Sequence, residues 1–241
     1  MIAGASHCVY EQPAVRDVTG DTIRPGGLTL TDRALALCPL PTGARVLDVG
    51  CGPGATVEHL RAAHHFDAFG LDASALLLQS GRCRNAALSV IQAAGERLPI
   101  ADKRLDAIFA ECSLSVMADA DRVLEEFGRT LKGDGILVLS DVYARNPNGV
   151  SALRHLPLDA CLRGAMSRQQ VADKLHAHGF HVVVWEDHSE ALKHLAAQLI
   201  MACGSMQQFW QRVTPAGEAV DTRQAIRQAK PGYYLSIARK I

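Results

Sequence analysis

The chain has 241 residues, 48% of them hydrophobic, and its 25 basic and 25 acidic side chains give a formal net charge of zero. That length fits one domain with a sizeable core, and basic residues scattered without a patch leave no electrostatic footprint for nucleic acid, so RNA and DNA are not expected partners. No charged leader with an apolar run and no span of roughly 18 apolar residues occurs, so the expectation is a cytoplasmic protein with no membrane segment.

Residues 1–43 precede the first predicted strand. Tyr10 is a candidate lid aromatic that packing would explain equally well. The run Thr22-Ile23-Arg24-Pro25-Gly26-Gly27-Leu28-Thr29-Leu30-Thr31 is rich in turn residues and leads into a predicted short helix near Asp32–Cys38, a placement suited to closing over a ligand. Arg24 has two readings, a solvated surface arginine or a contact for the carboxylate of an amino-acid ligand.

The stretch Val46-Leu47-Asp48-Val49-Gly50-Cys51-Gly52-Pro53-Gly54, with Asp72 18 residues after Gly54, describes a strand, a glycine turn, a helix and a second strand ending in a carboxylate. Such a unit binds an adenosine-containing cofactor: glycines let the backbone approach the ligand, the helix start offers unpaired N–H groups, and the carboxylate accepts from ribose hydroxyls. A dinucleotide competes for the pattern, because Gly50-x-Gly52-x-x-Ala55 satisfies its fingerprint. Asp48 argues against it, since a carboxylate two residues before the first glycine repels a pyrophosphate and suits a cationic amino acid group. Pro53 and Gly54 also make the turn wider and stiffer than a pyrophosphate cradle. The expected cofactor is therefore S-adenosylmethionine.

Further apolar strands at 67–71, 88–92, 105–110 and 136–142 alternate with helical patterns at 54–64, 74–87 and 119–131, which predicts an α/β, Rossmann-like, mostly parallel sheet with helices on both faces. Val123, Leu124, Phe127 and Leu131 mark the core stripe of the third helix, with Gly133-Asp134-Gly135 as its terminator. Ser167 and Gln170 form a capping box for a helix that ends at Gly179, followed by a strand at 180–185 and a last one at 233–238. Between these two strands, 189–230 reads as a long helical insertion. Leu192, Leu195, Ala196, Leu199, Ile200 and Cys203 share one of its faces, which suits core packing, a dimer interface or a pocket wall. The expectation is a single domain over 1–241, with an N-terminal segment (1–43), a cofactor-binding core (44–188), the helical insertion (189–230) and a final strand (231–241). Monomer and homodimer both remain open.

The glycine turn, Asp72, Gly95-Glu96-Arg97-Leu98-Pro99, Leu105-Asp106-Ala107-Ile108-Phe109 and Leu131-Lys132-Gly133-Asp134-Gly135 together resemble, in order and spacing, the motif series of class I S-adenosylmethionine-dependent methyltransferases. The resemblance is strong over about residues 44–142 and looser elsewhere. It implies seven strands in the order 3-2-1-4-5-7-6, the last antiparallel, and methyl transfer to a small-molecule acceptor. It implies cofactor contacts at Asp48, Gly50, Cys51, Gly52, Asp72, Ala73, Gly95, Glu96 and Glu111, with Arg24 as a further candidate. Ala94 departs from it, standing where an aspartate often bonds the adenine amine, so backbone groups of Gly95 and Glu96 are expected to substitute.

The seven cysteines, Cys8, Cys38, Cys51, Cys83, Cys112, Cys161 and Cys203, include no C-x-x-C pair, so neither a disulfide framework nor a metal site is indicated. Cys112-Ser113-Leu114, Asp119 to Leu131, Ser140-Asp141-Val142-Tyr143 and Cys161-Leu162-Arg163-Gly164-Ala165 resemble the corresponding part of arsenite methyltransferases. That resemblance implies a soft acceptor, arsenite or a thiol, held by Cys112 and Cys161. It departs in lacking a longer cysteine-bearing N-terminal region, and pocket-wall packing is the competing reading of both cysteines. His155 and His188 fall in loops that could approach the pocket. An NAD-dependent oxidoreductase and a non-catalytic S-adenosylmethionine-binding protein are the alternatives from other functional classes.

Overall fold

The computed structural model describes residues 9–156, 160–213 and 222–241, so the expectations that touch the leader region, Cys8 and 214–221 lie outside it. Strand β1 (Arg45–Val49) lies in the interior of the sheet, with β2 (Asp67–Asp72) and β4 (Leu105–Glu111) parallel on its two sides. Alternation sends its side chains to opposite faces. Val46 packs with Leu60, Phe66 and Phe109 on one face, whereas Leu47 packs with Val123, Phe127 and Leu137 on the other. Both are fully buried, which is why the strand, after the exposed Arg45, reads as an apolar run broken only by Asp48.

Strand β3 (Val90–Gln92) lies outside β2, and β5 (Leu131–Ala144) lies outside β4. The last strand, β8 (Pro231–Lys240), runs antiparallel between β5 and β7 (Phe180–Asp187). The path β3-β2-β1-β4-β5-β8-β7 is the expected topology. The sheet has eight strands rather than seven, because the two-residue β6 (Met166–Ser167) pairs with Tyr143 and Ala144 of β5.

Helices α3 (Ala55–Ala62), α4 (Ala75–Arg84) and α5 (Ala120–Thr130) follow β1, β2 and β4. Asp119 caps α5 by accepting from the Arg122 N–H at 3.0 Å, and Val123, Leu124 and Phe127 are fully buried beneath it. Thr130 ends that helix, and 133–135 belong to β5, so these glycines interrupt a strand start rather than terminate the helix. A short α6 (Val150–Arg154) follows β5, and the Ser167 capping box is present at the start of α7 (Arg168–Ala177), with Gly179 after it at φ 76°.

Two expected helices differ. The N-terminal one, α2 (Gly27–Leu37), starts five residues before Asp32, because the left-handed turn at Gly26 (φ 75°) is itself the helix entry. An additional helix, α1 (Pro13–Thr19), precedes it. The insertion divides into α8 (Ser189–Cys203), α9 (Met206–Val213) and α10 (Thr222–Ala229), and Gly204 at φ 86° makes the first break. Leu199 and Cys203 are buried, Leu192 and Leu195 pack partly against the same apolar cluster, and Ile200 is 41% exposed. Among the described residues no helix is long and apolar enough to cross a membrane.

Candidate functional site

A cavity of about 710 Å³ opens at the carboxyl ends of β1, β2 and β4, within the size range of small-molecule sites. The glycine turn forms its floor. The N–H groups of Gly50 and Cys51 both donate to the Leu71 carbonyl, at 2.7 and 3.1 Å, so the turn is tied to β2. Gly50 has φ 77°, and a Cβ there would lie 2.4 Å from the Ser113 Cβ. No other residue fits both the dihedral and the space.

Asp72, at the end of β2, accepts from the N–H groups of Gly52 and Ser74, each at 2.8 Å. Burial raises its pKa against the opposing pull of these bonds. Ala73 lines the cavity beside it. Cys51 is buried, its side chain packed behind the turn with Val57, Leu78 and Leu88. Burial, with the nearby Asp48 and Asp72 charges, pushes that thiol well up.

Asp48 is 3% exposed, and burial together with the Glu111 carboxylate drives its pKa well above the ordinary value, with Arg24 partly opposing. The surface reading of Arg24 is wrong: the residue is 6% exposed and pairs with Glu111 at 2.8 Å. Its guanidinium also donates to Thr31 Oγ1 (2.6 Å), Thr56 Oγ1 (3.2 Å) and the Gly27 carbonyl (3.1 Å). Thr31 and Thr56 in turn donate to Glu111, each at 3.1 Å. The network fastens α2 and α3 to the end of β4. Nε of Arg24 is buried with no partner.

At the far side of the floor, Ala93, Ala94, Gly95 and Glu96 form the wall after β3. Glu96 uses its carboxylate to accept from the N–H groups of Ala118 (3.1 Å) and Asp119 (3.3 Å), so it braces the loop before α5. Met117 from that loop closes over Gly95, with its sulfur 3.0 Å from where a Cβ would stand.

The opposite end is assembled from distant parts of the chain. Cys112 and Cys161 meet with their Sγ atoms 2.8 Å apart. Tyr10 joins them, its hydroxyl donating to Cys161 Sγ at 2.8 Å and accepting from the Cys161 N–H at 2.9 Å. Cys112 borders the cavity in the left-handed region, φ 57°, a conformation that costs a side-chain-bearing residue roughly 1 kcal/mol and is concentrated at functional positions. Burial and contact with Cys112 raise the Cys161 thiol well up, and burial likewise raises Tyr10.

Asp141 completes the group and was not singled out in the sequence. A carboxylate oxygen of Asp141 and the two sulfurs all lie within 4.8 Å of one another. Burial pushes Asp141 up to about 6, although the Ser115 hydroxyl (2.7 Å) and the N–H groups of Ser115 (3.0 Å) and Val142 (2.7 Å) favour its anion. Ala160, Arg163 and Gly164 complete this wall. Gly164 lies so close to Ser115 that a Cβ would stand 1.8 Å from its carbonyl oxygen. His155 and His188 do not line the cavity; His188 pairs with Glu186 at 2.9 Å.

Sheet order, glycine turn and strand-end carboxylate together give the fold seen in class I S-adenosylmethionine-dependent methyltransferases. More narrowly, residues 47–139 match the family described as the methyltransferase domain. Among curated relatives, a malonyl-acyl-carrier-protein O-methyltransferase of Enterobacter lignolyticus is 30% identical over 113 residues, 47% of this chain and 45% of that protein. The chain spans about half the length of the curated relatives it matches. Among solved structures, the 4+2 cyclase SpnF superposes with a TM-score of 0.76 and 27% identity, over 96% of this chain and 93% of its own. Phosphoethanolamine N-methyltransferase 2 of Haemonchus contortus, solved with S-adenosylhomocysteine, has a TM-score of 0.74 over 94% of this chain and 56% of its own; at 16% identity it speaks to fold alone.

Proposed function

We propose that the chain, acting as one methyltransferase domain, binds S-adenosylmethionine over the glycine turn and transfers its methyl group to a small molecule seated toward Tyr10 and Cys112. The observation that carries this reading is one cavity shared by the Asp72-anchored turn and a second, chemically different wall. The residues fit the cofactor. Asp72 spends part of its carboxylate on Gly52 and Ser74 and keeps lone pairs for ribose hydroxyls. A cationic amino group beside Asp48 would offset the burial that now disfavours its charge. Gly95, the Glu96 backbone and Ala73 suit the adenine side. Arg24 and Glu111 act as positioning residues, with only Arg24 Nε left for a ligand carboxylate.

When bound, S-adenosylmethionine supplies a methyl on a positively charged sulfur that is already a good leaving group. The protein's contribution is then alignment and exclusion of water rather than a dedicated base. The acceptor that suits the second wall best is a soft one, a thiol or arsenite. Two thiols in contact, one held in a strained conformation at the cavity edge, match such an acceptor in polarizability. The raised Cys161 thiol is protonated at neutral pH, so capture of arsenite would proceed by loss of water, each thiol hydrogen leaving with a hydroxyl of trihydroxyarsenic.

A second reading, a reaction other than methyl transfer on the same fold, is favoured by the similarity to a 4+2 cyclase along nearly the whole chain. Incubation with S-adenosylmethionine labelled in its methyl group, against thiol, arsenite, hydroxyl and amine acceptors, separates the two. Label should move to a soft acceptor, and Cys112→Ser should abolish that transfer. The soft-acceptor reading fails if Cys112→Ser and Cys161→Ser leave arsenite binding and methylation unchanged. Absence of label transfer to every acceptor, despite tight cofactor binding, favours the second reading. A thermal shift with NAD and none with S-adenosylmethionine would overturn both.

A further inference from the structure

Away from the cavity, on the outer face where α2 meets α3, Asp32, His59 and His64 converge. Nε2 of His59 and Nε2 of His64 lie 2.6 and 2.9 Å from the same Asp32 oxygen. All three donor atoms are within 4.8 Å of one another. We propose that these three side chains form a binding site for a divalent transition-metal ion of the zinc, nickel or cobalt type.

Ligand chemistry and geometry support the site. Two imidazoles and a carboxylate are the donors that such ions prefer, and three protein ligands leave an exposed position for water. With metal–ligand bonds of about 2.0–2.1 Å, donor atoms in a tetrahedral site stand about 3.3 Å apart. The two observed separations, 2.6 and 2.9 Å, are about 0.7 and 0.4 Å shorter, so the ion must push Asp32 outward, and Asp32, with half its side-chain surface exposed, has room to move. The rings are already held in place. His64 stacks on Phe66 with centroids 5.7 Å apart, and His59 meets the edge of His64 at 5.2 Å. Binding requires both Nε2 atoms as lone-pair donors, which neutral histidine supplies as its Nδ1–H tautomer.

The site would act as a clasp. Asp32 follows Thr31, which bonds Glu111 and Arg24, and His59 lies one turn beyond Thr56, which bonds the same pair. An ion joining α2 to α3 would therefore lock the N-terminal segment against the glycine-turn helix. The inference stands independently of what the cavity methylates.

The test is titration of the metal-free full chain with cobalt(II), followed by absorption, and with zinc(II), followed by calorimetry and thermal unfolding. One ion per chain should bind, raise the melting temperature and give a cobalt spectrum without thiolate charge-transfer bands. Affinity should fall about tenfold or more in His59→Gln, His64→Gln and Asp32→Asn, and remain within twofold in Cys112→Ser. Retention of full affinity in both histidine variants overturns the proposal. So does a thiolate-bearing spectrum that disappears in Cys112→Ser, which would place the ion at the cysteine cluster.

Discussion

The two ends of the cavity are built in opposite ways. Asp48, the glycine turn and Asp72 come from one β-α-β unit, joined by backbone bonds such as Gly50 N–H to Leu71 and by the Asp72 bond to Gly52. The other end joins residues as far apart as Tyr10 and Cys161, 151 positions distant, through bonds that each involve at least one side chain. A site made of contiguous backbone is rigid and tied to one ligand class, whereas a wall gathered from separate loops can change residue by residue without disturbing the fold. On the proposed reading, changes at the cofactor end should cost fold stability or cofactor affinity, and changes at the acceptor end should leave cofactor affinity intact.

The largest effect is expected where the cofactor end is braced. Arg24→Met leaves Glu111 buried without its cation, so unfolding free energy should fall by about 3–5 kcal/mol. Arg24→Met combined with Glu111→Leu should recover much of that loss, as measured by urea denaturation. A single variant as stable as the parent would contradict the brace. Next comes Gly50→Ala, where a Cβ would collide with Ser113 and the positive φ adds strain; a loss of about 2–3 kcal/mol is expected by thermal unfolding.

At the acceptor end, Asp141 should show itself through pH. Because its pKa is raised to about 6, the stability tied to its protonated form is fully present below the ordinary carboxylate range and is lost as pH rises through about 6. Asp141→Asn should accordingly gain on the parent, on the order of 2 kcal/mol, between about pH 4 and 7. A stability difference independent of pH would show that the buried charge is otherwise compensated.

The same contrast governs what could be read from the chain. The strands around the turn, and the placing of Asp48, the glycines and Asp72 on one short unit, were legible because strand periodicity and a turn of fixed geometry leave few residue choices, whereas the strand order came from the family resemblance. Arg24 was not, because its burial depends on Glu111 and two threonines brought in by tertiary packing. Glu96 was expected at the adenine edge, and the structure shows its carboxylate serving the backbone of 118 and 119. Splitting of the 189–230 stretch turns partly on Gly204, where a left-handed residue overrides a helical apolar pattern. Cys112 and Cys161 were paired by resemblance, and nothing in their spacing pointed to Asp141 or to the φ of 57° at Cys112.

The most direct test compares S-adenosylhomocysteine affinity in Asp72→Ala and Cys112→Ser by calorimetry. With the two ends built separately, Asp72→Ala should weaken binding about tenfold or more through lost hydrogen bonds to a charged acceptor, while Cys112→Ser leaves affinity within twofold of the parent. Equal weakening in both, or in neither, would contradict a cavity divided into a cofactor end and an acceptor end.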